Sequence, residues 1–255
     1  MIFDRDGDLY VPTGHARGPW DPNALHGGAP AALIVREVER LAPEMRVARL
    51  TLEILGPVPM APLAVRAEIV KPGRRFQVAE AEIVVGERAA CRARVMLLRR
   101  GELPDVPQGD PPAPLPHRPA DAERAEMLRG ESFVTTGTDI RFLHGTFAEN
   151  GPAAGWLKLD QPLVHGEEPS GAQRAAAAAD FGNGLSRVVA WDDFLFVNTD
   201  LTVHLHRDPE GEWVGLDART TLQPDGSGLA VSTLHDERGP VGVSLQTLYV
   251  DRRTA

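Results

Sequence analysis

Apolar and polar positions follow two rhythms along this chain, and the pair of rhythms occurs twice. The stretch "LHGGAPAALIVREVERL", Leu25 to Leu41, is apolar on most sides at helical spacing and predicts a buried helix over about Ala24–Leu41. Alternating stretches follow near Val47–Leu55, Leu63–Val70, Phe76–Val85 and Ala89–Leu98, and these read as strands. The order then returns: a helix holding the run Ala175–Ala179, then strands near Phe196–Leu205, Glu212–Leu222, Leu229–Asp236 and Val241–Val250. Short strands precede each helix, "DLYVPTG" in the first half and "DIRFLHGTF" and "GWLKLD" in the second. In "LTVHLHR", Leu201, Val203 and Leu205 share one face while Asp200, Thr202, His204 and His206 share the other, as in a sheet that buries one side.

The halves also echo each other residue by residue. "RLTLEIL" at Arg49–Leu55 matches "DLTVHLH" at Asp200–His206, and "VMLLRR" at Val95–Arg100 matches "TLYVDRR" at Thr247–Arg253. An offset of about 150 residues marks one unit duplicated. Between the copies, Gly101–Pro119 is too rich in proline for a helix or a central strand and reads as an extended linker. The expected division is an N-terminal unit over 1–100, a linker and connecting segment over 101–130, and a C-terminal unit over 131–255. One helix followed by a four-strand antiparallel meander predicts an α+β fold, two helix-wrapping antiparallel sheets from an internal duplication.

Composition narrows the function. The chain has 255 residues, 42% of them hydrophobic, which is ample for a packed core. No apolar run reaches the roughly 18–20 residues a membrane helix needs, and "MIFDRDGDLY" has no apolar signal-peptide core, so neither membrane insertion nor secretion is expected. The single cysteine, Cys91, excludes an intrachain disulfide and fits a cytoplasmic location. A formal charge of −9 opposes a nucleic-acid partner. A local cluster such as "KPGRR", Lys71–Arg75, still suits a phosphorylated ligand, with an ordinary basic turn as the plain alternative. The chain lacks the Gly-x-Ser-x-Gly elbow, the phosphate loop and a full dinucleotide fingerprint, since "GNG" at Gly182–Gly184 has no third glycine. His204 and His206 have chelating spacing, but a solvated strand face explains them as well, and no metal or cofactor is expected.

Four stretches carry a resemblance. They are "HGG" at His26–Gly28, "GRRF" at Gly73–Phe76, "ADFGN" at Ala179–Asn183, and "NTDLTVHLHR" at Asn198–Arg207 taken with "VSLQ" at Val243–Gln246. Their order within a duplicated unit resembles the acyl-CoA thioesterase II-like family, a double hotdog. The resemblance implies a hydrolase of lipid metabolism that cleaves fatty acyl-CoA to free acid and coenzyme A. That family uses an Asp, a Thr and a Gln to position a water, and the matching residues are Asp180, Asn198 and Gln246. Asn198 departs from the threonine, although an amide both donates and accepts. Neighbouring Thr199 falls on the opposite strand face.

The resemblance also places helix-start amides at the oxyanion. Candidates are Gly27 and Gly28 beside His26, or the Phe181–Gly184 segment with Phe181 and Gly182, and Arg74 and Arg75 are candidates for the phosphates of coenzyme A. Each has a plainer reading: Gly-Gly as a tight turn, Asp180 as part of a helix stop, Gln246 as a surface residue. A non-catalytic acyl-CoA or acyl-lipid binder on the same fold is an alternative function. A hotdog hydratase is another, although the Asp/His pair such enzymes carry on one helix start is not found near Asp180. Free sheet edges leave a homodimer or higher homo-oligomer open.

Overall fold

Alternation along the strands leaves each sheet one apolar face, and each apolar face closes over a helix. The computed structural model describes residues 1–107, 109–110, 112–125 and 130–253. A hairpin of β1 (Phe3–Asp6) and β2 (Leu9–Pro12) leads into α1 (Gly28–Leu41) and the strands β3 (Met45–Ile54), β4 (Ala64–Lys71), β5 (Phe76–Val85) and β6 (Arg88–Arg99). Beyond the proline-rich segment come β7 (Glu123–Arg124), β8 (Thr138–His144), β9 (Ala153–Leu159), α2 (Gly171–Ala179) and the short α3 (Gly182–Leu185). The meander of the second copy is β10 (Phe194–Asn198), β11 (Asp200–Leu205), β12 (Trp213–Leu222), β13 (Ser227–Asp236) and β14 (Gly239–Arg252).

The two expected sheets run together. Their strand order is β4-β5-β6-β3-β11-β14-β13-β12-β9-β8-β7, with β10 paired to β14. The seam is the antiparallel pair β3 and β11, where Thr51 faces Thr202 and Leu52 faces Leu201. Each copy thereby sets one strand of its meander against the other, and one twelve-stranded sheet spans the duplication. This is the double hotdog. The alternation read from "LTVHLHR" holds: Leu201, Val203 and Leu205 are buried while His204 and His206 are exposed.

Two sequence expectations need correction. The first helix begins at Gly28, not near Ala24. Leu25 N–H bonds the carbonyl of Val58 and His26 N–H bonds that of Ala16, so these amides serve neighbouring chain and not a helix. The predicted strand Phe196–Leu205 breaks at Thr199 into β10 and β11. At the break Ile54 N–H bonds Thr199 O, and the Asp200 carboxylate accepts Thr247 N–H at 2.7 Å. Both pieces pair with β14, but only β11 is also paired to β3, so the chain kinks where its second neighbour begins.

The helices lie antiparallel, and small residues let them approach. A Cβ built on Gly28 would stand 2.3 Å from the carbonyl oxygen of Ala177. Ala175–Ala179 are all buried, packed between α1 and the second sheet half. A larger side chain at this crossing would force the helices apart, at a typical cost of about 1–3 kcal/mol.

Candidate active site

Where α2 ends, it meets the start of α1. Ser170 caps α2, its Oγ accepting Gln173 N–H at 3.1 Å, and the helix runs through the alanines to Asp180. Asp180 is 6% exposed, and a carboxylate so enclosed is tolerated only with partners. It has three. Asn198 Nδ2 donates to Oδ1 at 2.9 Å, Gln246 Nε2 donates to the same oxygen at 3.3 Å, and His26 Nδ1 lies 3.0 Å from Oδ2.

The partners are themselves held. Gln246 Oε1 accepts Asn183 N–H at 3.0 Å, while its Nε2 also donates to the main-chain oxygen of Asp180 at 3.2 Å. That fixes which end of the amide faces the carboxylate. Asn198 spends a second contact on Asp200 O at 3.2 Å, leaving its Oδ1 without a protein partner among the described residues. His26 packs against both Phe133 and Phe181, with ring centroids 4.9 and 4.5 Å away, and the two phenyl rings also contact each other.

Glycine allows close approach here. A Cβ on Gly27 would lie 2.8 Å from Asp180 Oδ2, and one on Gly182 would lie 2.8 Å from Gln246 Oε1. The Gly27 N–H has no partner among the described residues, as befits an amide at a helix start.

Asp180, Asn198, His26, Gly27 and Phe181 share the wall of a cleft of about 1560 Å³. Apolar side chains from both copies line it, including Leu25, Ile54 and Val58 from the first and Phe142 and Phe147 from the second. Trp20 and Trp191 also line it, with ring centroids 4.6 Å apart, and both pack on Phe196. Cys91 reaches the same cleft. Burial, reinforced by the nearby Asp180 carboxylate, pushes its thiol up to about 12, so it stays protonated and is no nucleophile at neutral pH.

The remaining candidates lie elsewhere. Gln246 is 1% exposed and stands behind Asp180, outside the cleft wall. Gly28 is packed on Ala177 and Gly182 on Gln246 and Ser232. Arg74 and Arg75 are not brought to the site. With Lys71, Phe76 and Arg99 they line a separate hollow of about 610 Å³. Strand β6 runs from Cys91 at the cleft to Arg99 at that hollow, roughly 26 Å at about 3.3 Å per residue. His204 and His206 do not join any cluster of three or more metal-ligating side chains among the described residues.

Sequence reasoning did not find the contact between His26 and Asp180, nor the roles of Phe133, Trp20 and Trp191. Only the "HGG" motif hinted at the first, by putting a histidine beside glycines at a helix start.

Comparison with known proteins bears on the family and the fold. Residues 16–99 match the acyl-CoA thioesterase N-terminal domain, and residues 107–250 match the acyl-CoA thioesterase C-terminal domain. Among curated proteins no sequence match is found. Three solved structures share the fold. A hot dog fold protein from Alicyclobacillus acidocaldarius superposes with a TM-score of 0.74 at 17% identity, covering 99% of this chain and 96% of that one. The tesB protein of Mycobacterium avium subspecies paratuberculosis gives 0.70 at 16% identity, covering 98% and 95%. Acyl-CoA thioesterase II TesB2 of Mycobacterium marinum gives 0.66 at 14% identity, covering 99% and 95%. With both domain models matched in order across two fused hotdogs, the chain belongs to the acyl-CoA thioesterase family and is a thioester hydrolase.

Proposed function

We propose that this enzyme hydrolyses a fatty acyl-CoA to the free acid and coenzyme A, with the attacking water activated from Asp180. One observation carries the reading: an enclosed carboxylate, held by Asn198, Gln246 and His26, forms part of the wall of a large apolar cleft. The acyl chain takes the apolar wall. Gly27 N–H, at the positive end of α1, is the donor for the developing oxyanion, a contact typically contributing about 3–4 kcal/mol. Asn198 Oδ1 accepts a hydrogen of the water, while Gln246 is a positioning residue that works through Asp180.

Release of free thiol from a panel of acyl-CoAs, acetyl to palmitoyl, tests this reading. Asp180→Asn should remove the activity. If no chain length is turned over, the reading is wrong, and saturable binding without turnover would select a non-catalytic acyl-CoA binder instead. A second reading has an observation of its own. The His26–Asp180 contact, made where α1 begins and α2 ends, supplies the kind of pair a hydratase uses. Hydration of crotonyl-CoA without thiol release would select it.

No helix among the described residues is long and apolar enough to cross a membrane. We place the reaction in the cytoplasm, within lipid metabolism. The outermost strands β4 and β7 are the edges on which a second copy would pair.

A further inference from the structure

A carboxylate offers about four lone-pair positions, and this chain occupies three of those on Asp180. Asn198 and Gln246 both donate to Oδ1, and His26 Nδ1 lies against Oδ2. The carboxylate is therefore better furnished to hold a donor than to receive a water. The imidazole is 8% exposed, and it packs in a three-ring cluster with Phe133 and Phe181, which also contact each other. With Nδ1 turned to Asp180, Nε2 lies on the far side of the ring. It has no protein partner among the described residues, and His26 is one of the residues lining the cleft.

We propose that His26 Nε2 is the atom that takes the proton of the attacking water, and that Asp180 acts through it by holding Nδ1–H. This rests on the hydrolase reading and specifies its proton route. The water oxygen bonds to the thioester carbon as its proton passes to Nε2, and the imidazolium so formed is stabilised by the Asp180 carboxylate. When the tetrahedral intermediate collapses, the carbon–sulfur bond breaks and Nε2 returns the proton to the departing sulfur. Acid and thiol leave, and the pair is restored. Each half of the duplication supplies one member: His26 precedes α1 and Asp180 ends α2.

One contact makes the proposal exclusive. Gly28 N–H points at the same Nδ1 with hydrogen-bond geometry, at 3.1 Å. A nitrogen that carries a hydrogen cannot accept one, so either Nδ1–H faces Asp180 or Nδ1 accepts from Gly28. The charged carboxylate is the stronger claimant, and first-turn amides do without helical partners. In the opposite tautomer the hydrogen sits on Nε2, which then cannot act as the base.

Two measurements decide. In His26→Ala, kcat should fall by about 100-fold or more while KM changes by about 3-fold or less, and added imidazole should restore part of the rate. His26→Asn, whose amide still reaches Asp180, should be as slow as His26→Ala. Nitrogen-15 NMR of the wild-type enzyme should show the His26 hydrogen on Nδ1, with its signal altered in Asp180→Asn. A His26→Ala enzyme within about 5-fold of wild type overturns the proposal, as does a wild-type His26 protonated on Nε2 alone. Failure of the wild-type enzyme to cleave any thioester removes the hydrolase reading itself, which is a different result from either of these.

Discussion

The antiparallel helix pair has two ends, built on one plan and put to different uses. At each end a carboxylate from the last turns of one helix meets the start of the other. At the first, Asp180 meets His26 and Gly27 beside an open cleft. At the second, Glu39 meets Ser170 and Gln173, accepting Ser170 Oγ–H at 2.8 Å and Gln173 Nε2–H at 2.7 Å. There the covering layer is backbone: a Cβ on Gly171 would stand 1.9 Å from the carbonyl oxygen of Pro209. Burial raises the Glu39 carboxyl above its ordinary value, and the two hydrogen bonds only partly oppose it. A carboxylate at a helix junction is thus no signature of chemistry by itself. What distinguishes Asp180 is the space beside it and a titratable partner.

Substitution at the two carboxylates should separate the ends most sharply. Asp180→Asn should lower kcat by about 100- to 10,000-fold, while Glu39→Gln should stay within about 2-fold, both read as thiol release. Equal losses would mean that the junctions are not functionally distinct.

The glycines should part in the same way. Gly27→Ala crowds the Asp180 carboxylate and should lower kcat by about 10-fold or more with little change in the urea midpoint. Gly171→Ala collides with Pro209 and should cost about 1–3 kcal/mol in urea unfolding, with kcat per folded molecule unchanged. Gln246→Leu should affect both readouts, since it frees Asp180 and strands the Asn183 amide, at about 1–3 kcal/mol.

The smallest expected effects are in pH dependence, and they belong to the second end. Burial pushes the Asp236 carboxyl up, but the Arg207 guanidinium and the amides of Glu210 and Arg238 outweigh it and hold it below the usual range. A depressed native value stabilises the fold above the ordinary carboxylate range, and this is lost as pH falls through the native value. Asp236→Asn should therefore flatten the acid limb of a stability-versus-pH curve. Glu39, raised, works oppositely: stability declines as pH rises from the ordinary glutamate range through its native value. Glu39→Gln should remove that decline.

Much of the architecture was legible because its signals are local. Strand β5 falls on the predicted Phe76–Val85, since alternation and the flanking turn residues define it without reference to any partner. The duplication was visible because copies of one unit retain one pattern. Asp180 stood out as a carboxylate after five alanines, Asn198 and Gln246 by their places in a familiar order, and the fold brings the three side chains together.

Tertiary structure alone decided the rest. No periodicity says that His26 and Asp180, in different halves of the chain, share a contact, because that depends on how closely two glycine- and alanine-faced helices pack. Nor could a turn motif reveal that Arg74 and Arg75 lie a strand's length from the cleft. Sequence pattern determines which residues are buried and in what local conformation, since these follow from the next few neighbours. Which buried groups meet, and whether open space remains beside them, follows from packing between segments distant along the chain.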